Sequence, residues 1–142
     1  MRFKLPLGAI VLTLLASCAG VDSTPATAFQ VPEIEMTTAQ LEHGAKIFKY
    51  KCAACHSMDV DKSQFFGPHL NQIMGRKIGE LESYKFSDDV ADFDFYWTLE
   101  NMDAWLENPQ QIVPNMCMPF LGIKNSEQRL ALIGYMQQAS TP

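Results

Sequence analysis

A five-residue motif, Cys52-Ala53-Ala54-Cys55-His56, constrains this chain more than any other feature. It places two thiols and an imidazole within a single turn of chain. Residues in this order are the signature for covalent attachment of a c-type haem, in which the cysteines form thioethers and the histidine ligates the iron. The sequence therefore predicts one covalent haem c held by Cys52, Cys55 and His56.

Two other uses of a Cys-x-x-Cys pair compete with haem attachment. A zinc site needs further ligands at suitable spacing, and the sequence offers only His43, His69 and Cys117. A thioredoxin-like dithiol needs a βαβ setting, which the sequence lacks. Haem is the better explanation of the motif.

The first 17 residues are typical of a bacterial export signal. Met1–Lys4 carries two positive charges, and the apolar run Leu5–Leu15 is too short to cross a bilayer as a helix. The run ends in Leu15-Ala16-Ser17-Cys18, which resembles the lipobox of bacterial lipoproteins and makes Cys18 the predicted site of lipid attachment. An ordinary signal peptide, cleaved beside a neighbouring alanine, is the alternative.

Residues 18–36 contain two prolines, several small polar residues and no helical apolar period. This composition predicts a flexible linker, followed by a haem-binding domain over residues 37–142. We expect an exported protein that is lipid-anchored on the periplasmic side of a bacterial membrane. Removal of Arg2 and Lys4 with the signal would take the formal net charge from −5 to −7.

Size and charge exclude other classes of function. A chain of 142 residues allows one domain plus a tail. Net charge is −5 and no run of lysine and arginine is present to neutralise phosphates, so nucleic acid is not an expected partner. Between residues 80 and 107, nine carboxylates accompany a single base, Lys85. This region predicts docking to a basic or apolar partner, or else a merely solvated acidic face.

An electron-carrying haem iron needs a second axial ligand, and the segment Pro114–Phe120 offers Met116 and Met118. From Leu41 to Tyr135 the chain resembles the class I cytochromes c. The residues that carry this resemblance are Gly44, Phe48, the haem motif, Gly67-Pro68-His69-Leu70, Gly75-Arg76, Trp97, Leu106-Glu107-Asn108-Pro109, the segment from Pro114 to Gly122, and the segment from Leu132 to Tyr135.

The resemblance implies an all-α fold with helices wrapped around one haem. It implies Met118, rather than Met116, as the second iron ligand. Pro68 is expected beneath the ligand histidine, and Arg76 and Trp97 are expected near a haem propionate. The implied activity is outer-sphere transfer of single electrons between redox protein partners, such as membrane respiratory complexes, with no small-molecule substrate required.

Local patterns independently predict helices. Thr37-x-x-Gln40 is a capping box ahead of a helical apolar spacing. The segment from Thr98 to Asn108 predicts a second helix, and Ser126 is the predicted cap of a last one. Gly44 lies inside the first helical pattern, where close packing of the terminal helices would explain it.

Departures from the family pattern bear on the mechanism. Trp105 stands where the family usually has a tyrosine beside the axial methionine, and an indole N–H donates but cannot accept a hydrogen bond. Trp105 is therefore a candidate haem-site residue that tunes the potential, and simple core packing is the alternative. Phe86 and Met116 replace residues that usually carry hydroxyls. Cys117 replaces a frequent lysine, and three roles are open for it: simple apolar packing, a reactive or intermolecular thiol, or an alternative iron ligand when Met118 dissociates.

The predicted function is therefore a membrane-tethered monohaem electron carrier and not an enzyme. A haem peroxidase or a gas-binding sensor, with a labile or open sixth position on the iron, is the alternative from another class. A single haem motif, a well-placed methionine and the lack of an acid–base pair near it argue against that alternative. A permanently docked subunit of a respiratory oxidase or dehydrogenase is a third interpretation.

Overall fold

The computed structural model describes residues 31–62 and 66–140. The predicted signal peptide, Cys18 and the predicted linker up to residue 30 lie outside the described residues. Within these ranges no helix is long and apolar enough to cross a membrane.

The described residues form five α-helices and no strand. The helices are α1 Thr38–Lys51, α2 Asp88–Ala91, α3 Leu99–Glu107, α4 Pro109–Ile112 and α5 Ser126–Ala139. The only sheet-like pairing in the described ranges is an isolated antiparallel bridge between Lys77 and Tyr96. The all-α prediction is confirmed.

The helix starts follow from local side-chain chemistry, with one correction. Thr37 and Gln40 form the predicted capping box of α1, in which the Gln40 backbone N–H donates to Thr37 Oγ1 at 3.3 Å. Thr98 caps α3 through the Asn101 backbone N–H at 3.1 Å. The predicted cap of α5 was wrong by one residue: Asn125, rather than Ser126, accepts from the third N–H of the helix.

The two long helices, α1 and α5, come from the two ends of the domain sequence and pack closely against each other. A Cβ on Gly44 would overlap the backbone of Ala131, so only glycine permits this approach. The rings of Phe48 and Tyr135 lie 5.5 Å apart across the same contact. The packing explanation of Gly44 is thereby confirmed.

The end of the predicted linker differs from the prediction, because it lies against α5. The Gln137 side chain accepts from the Ile34 backbone N–H at 3.1 Å and donates to the Pro32 carbonyl oxygen at 2.9 Å. Met36 fills the space beside Gly134, where a Cβ would come within 2.6 Å of its Cγ. Residues 32–36 are therefore part of the packed domain, because backbone groups and an apolar side chain find partners on α5.

Candidate haem site

The segment that carries the haem motif continues directly from α1. We call residues 52–62 and 66–70 the histidine segment. The backbone N–H groups of Cys52 and Ala53 both donate to the Phe48 carbonyl oxygen, and the His56 N–H donates to the Cys52 carbonyl oxygen at 2.9 Å. These bonds fold the motif into consecutive turns, with Cys55 exposed and Cys52 half-buried. Burial raises the pKa of Cys52 to about 11, against a smaller opposing effect of Lys51, so its thiol is neutral near pH 7.

The His56 imidazole has one defined orientation. Its Nδ1 lies 2.8 Å from the carbonyl oxygen of Pro68. A carbonyl only accepts, so Nδ1 carries the proton and Nε2 keeps a free lone pair for a metal. Burial lowers the pKa of His56, and the bond to Pro68 opposes this effect without reversing it. The ring is therefore a neutral ligand that points one nitrogen away from its support.

Gly67 completes the support of this imidazole. A Cβ at this position would lie 2.5 Å from His56 Cε1 and 2.8 Å from its Nδ1. The backbone passes directly against the ring because it has no side chain there. A groove of about 420 Å³ opens beside the ring and is lined in part by Cys55, Phe48 and Phe66.

Arg76, like His56, shows whether the site suits a haem. Its guanidinium is half-buried and donates to the carbonyl oxygens of His69 and Asn71, each at 3.3 Å. Burial lowers the pKa of Arg76, and no carboxylate of the described residues forms an ion pair with it. A desolvated cation with unused donors is suited to an organic anion, and a haem propionate is such an anion.

Trp97 is joined to Arg76 through the backbone. The Trp97 N–H donates to the Arg76 carbonyl oxygen, and the Gly75 N–H donates to the Trp97 carbonyl oxygen, both at 2.9 Å. The Trp97 side chain is 7% exposed. The structure therefore brings together the two residues that were predicted to lie near a propionate.

The second predicted ligand lies on residues 113–123, which we call the methionine loop. Its two ends are buried at Val113 and Ile123. Between them, the Met118 N–H donates to the Met116 carbonyl oxygen and the Phe120 N–H donates to the Met118 carbonyl oxygen, each at 2.8 Å. These bonds between residues two apart make a tight, zigzag course.

The two methionines of the loop differ in packing. Met116 is half-buried against the apolar core, and its carbonyl oxygen accepts from Gln110 Nε2 at 2.8 Å. Met118 is also half-buried, but it is not among the described side chains that pack against that core. This difference supports Met118 as the thioether available to iron.

Sequence reasoning missed the group that fixes the end of the methionine loop. Arg129 of α5 is 6% exposed and donates to both carboxylate oxygens of Asp103, at 2.7 and 3.0 Å. Its Nη1 also donates to the carbonyl oxygens of Ile123 and Lys124, each at 3.0 Å. The bond to Asp103 raises the pKa of Arg129. An arginine between glutamine and leucine gives no local sign of this role.

The candidate zinc ligands are not brought together. His43 and Cys117 are exposed, and His69 is buried at 8% exposure. Burial, followed by the charge of Arg76, lowers the pKa of His69. Across residues 31–62 and 66–140, no group of three or more histidine, cysteine, aspartate or glutamate side chains is placed to hold a metal ion. The geometry therefore gives no support to the zinc interpretation.

Comparison with known proteins decides the family. The family model described as cytochrome c matches residues 41–140. The chain belongs to the cytochrome c family. It is 32% identical over 105 residues to a cytochrome c of Gibberella zeae, which covers 74% of this chain and 99% of that protein. It is 34% identical over 110 residues to a cytochrome c of Theileria parva, covering 78% and 95%, and 36% identical over 107 residues to a cytochrome c homolog of Rickettsia typhi, covering 75% and 60%.

Membership in the cytochrome c family establishes the coarse function. The chain is a monohaem electron carrier with one covalently bound haem c, and Cys52 and Cys55 stand at the attachment spacing. The neutral imidazole of His56 and the unpaired cation of Arg76 fit this cofactor independently of the comparison.

Proposed function

We propose that this cytochrome c family member is a membrane-tethered carrier of single electrons in a respiratory or related chain. In this proposal His56 and Met118 ligate the iron in both oxidation states. The observation that carries it is the 2.8 Å contact between His56 Nδ1 and the Pro68 carbonyl oxygen, which leaves Nε2 as the ligand atom. When bound, haem c supplies an iron that exchanges one electron at a time.

The residues around the two predicted iron ligands limit how far those ligands move during electron transfer. Pro68 and Gly67 keep the His56 ring in place, and two short bonds of the methionine loop fix the backbone on either side of Met118. A thioether ligand raises the potential of a haem relative to two imidazoles. Two ligands held in both states leave no open position for a substrate, which supports a carrier over an enzyme.

The absorption spectrum tests the ligand set directly. We expect the oxidised protein to show a far-red sulfur-to-iron band, and the reduced protein to show no response to carbon monoxide. Met118→Ala removes the band and admits carbon monoxide, because it opens the sixth position on the iron. Met116→Ala is the matched control in the same loop, and it keeps both properties while lowering the free energy of unfolding by about 2 kcal/mol.

Other outcomes of this experiment contradict the proposal. A wild-type protein that binds carbon monoxide readily, or a high-spin ferric spectrum, indicates an open iron and the peroxidase or sensor interpretation. Loss of the band in Met116→Ala but not in Met118→Ala shows that Met116, and not Met118, is the iron ligand.

Membrane tethering has a separate test. The apolar run before Cys18 supports lipid attachment on the periplasmic side of a bacterial membrane. We expect the mature wild-type protein to fractionate with membranes and to carry acyl chains by mass spectrometry. Cys18→Ala abolishes both, whereas Cys117→Ser, at another cysteine outside the haem motif, changes neither. A soluble wild-type protein without acyl chains contradicts the tether.

The acidic region between residues 80 and 107 supports a partner with a basic or apolar docking surface. Three of its carboxylates pair with cations from outside the region: Glu80 and Asp94 with Lys77, at 3.7 and 3.0 Å, and Asp103 with Arg129 at 2.7 Å. The other six carboxylates still outnumber its single base, Lys85. Electron transfer to a cationic redox protein should slow as ionic strength rises, and transfer to an anionic one should not. If salt slows transfer to the anionic protein and not to the cationic one, the acidic region does not dock a basic partner.

A further inference from the structure

Three aromatic rings form a continuous ladder beside Arg76. Phe95 and Trp97 have ring centroids 5.1 Å apart at an interplanar angle of 85°. Trp97 and Trp105 have centroids 5.0 Å apart, also at 85°. Both contacts are therefore edge-to-face, which is the favoured geometry for aromatic pairs. Trp97 is the middle ring of the three.

The backbone of Trp97 is fixed by the segment that it faces. Two bonds of 2.9 Å link it to Gly75 and Arg76, and the Ile78 N–H donates to the Phe95 carbonyl oxygen at the same distance. The remaining freedom of Trp97 is rotation about its two side-chain torsions. The orientation of the indole N–H therefore depends on the rings that pack against it.

The two neighbouring rings are not equivalent supports. Phe95 lies two residues before Trp97 on the same non-helical segment, so it moves with that segment. Trp105 lies on α3, whose buried side chains Met102 and Leu106 are anchored in the core. Trp105 is thus the contact that ties the indole to a separate, helical part of the domain.

We propose that Trp105 is a positioning residue, whose ring holds the Trp97 indole in the orientation in which its N–H donates to a haem propionate. The inference rests on the proposed function as a haem electron carrier and on the expectation, from the family resemblance, that Trp97 lies near a propionate. It assigns to Trp105 a task that depends on an aromatic ring at this position and not on its own N–H. Trp105→Phe should therefore preserve this task and Trp105→Leu should remove it.

Hydrogen exchange of the indole N–H in the reduced holoprotein tests the proposal. The chain has two tryptophans, so Trp97→Phe identifies the two indole signals in the nuclear magnetic resonance spectrum. We expect Trp105→Leu to speed exchange of the Trp97 indole proton by about tenfold, which matches the contribution of one aromatic pair. Trp105→Phe should keep the wild-type rate within about twofold.

Ile47→Ala separates positioning from general destabilisation. Ile47 is buried in α1, outside the ladder, and its truncation lowers the denaturation midpoint of the whole protein. We expect exchange of the Trp97 indole proton to change less in Ile47→Ala than in a Trp105→Leu protein of similar stability. Equal acceleration in the two variants overturns the proposal, because exchange would then report only global unfolding.

The midpoint potential of the haem gives a second test. If Trp105 had only a structural role, its effect on the potential would not depend on Trp97. Trp105→Leu and Trp97→Phe should shift the potential in the same direction, and the double variant should shift it no further than Trp97→Phe alone. Additive shifts overturn the proposal. Carbon monoxide binding by the wild-type protein would end the carrier proposal instead, while the exchange rates still report whether Trp105 holds Trp97.

Discussion

The two predicted iron ligands are held in different ways. His56 is fixed at its side chain, by the bond from Nδ1 to Pro68 and by contact with Gly67. Met118 is fixed through its backbone: the bonds of the methionine loop end on carbonyl oxygens, and in the described part of the chain none reaches the thioether. The histidine segment therefore fixes the orientation of the His56 side chain, whereas the methionine loop fixes only the backbone position of Met118.

This difference predicts which ligand leaves first. A side-chain hydrogen bond restricts the torsions of the ligand itself, so its loss requires local unfolding of the histidine segment. Backbone anchors leave the torsions of Met118 free, and the loop gives way when its anchors are weakened. Substitutions in the two regions should consequently produce different spectra and not merely different stabilities.

The largest effect is expected from Gly67→Val. The new side chain must displace the His56 ring, because even a Cβ would lie 2.5 Å from it. We expect the yield of covalent holoprotein to fall more than tenfold, and the free energy of unfolding of what remains to fall by about 4 kcal/mol. Haem stain after denaturing electrophoresis and denaturant titration measure both. Val60→Ala, at an exposed position of the histidine segment that does not line the groove, is the control, and a normal yield from Gly67→Val would contradict the proposed support of His56.

Gly122→Ala is the corresponding test of the methionine loop. Gly122 has a φ of 88°, and its Cβ would overlap the carbonyl oxygen of Glu107. We expect the free energy of unfolding to fall by about 3 kcal/mol and the far-red band to weaken, while the haem stays attached.

Gly79→Ala separates backbone strain from the clash in this test. Gly79 has a φ of 75°, but a Cβ there would make only an ordinary van der Waals contact, with Val90 Cγ1 at 3.5 Å. It should cost about 1 kcal/mol and leave the band intact. Similar spectra for the two alanine variants would show that the anchor at Gly122 does not govern Met118.

A smaller effect is expected from Gln110→Ala. This change removes the 2.8 Å bond to the Met116 carbonyl oxygen, so the free energy of unfolding should fall by about 1 kcal/mol. The far-red band should be lost at a lower temperature than in the wild type, ahead of the global transition. Gln111→Ala, at the exposed neighbouring position, should change neither value. Simultaneous loss of the band and of the fold in Gln110→Ala would contradict a separately yielding loop.

The smallest effect is expected from Cys117→Ser. Cys117 is exposed and lies between the two methionines, so a change of sulfur to oxygen removes little buried surface. The free energy of unfolding should stay within about 0.5 kcal/mol of the wild type, and the spectrum and potential should be unchanged. A shifted potential would instead support the reactive-thiol or alternative-ligand interpretation of this residue.

Features with a local signal were predictable from the sequence. The capping box of Thr37 and Gln40 lies within one turn of helix, and the haem motif lies within five residues. The cap of α5 was displaced by one position because Asn125 and Ser126 are both good caps, and only the geometry shows which one accepts from Gln128.

Features that depend on distant partners were not predictable. Arg129 acts through Asp103, which lies 26 positions away, and residues 32–36 are ordered by Gln137 near the other end of the domain. The orientation of the His56 ring required the position of the Pro68 carbonyl oxygen, although the resemblance named Pro68. Pairwise contacts over such separations leave no periodic trace in a single sequence.

The contact between Gly44 and Ala131 also sets an order of assembly. These residues lie near opposite ends of the domain, so the chain must be synthesised almost completely before α1 meets α5. Bringing α1 and α5 together closes a loop of most of the domain, and the entropic cost of that closure comes before their contact can stabilise the fold. Cys52 and Cys55 follow α1 directly, so about 70 residues of chain separate the haem motif from the start of α5. The haem motif is thus synthesised well before the contact between α1 and α5 that closes the domain can form.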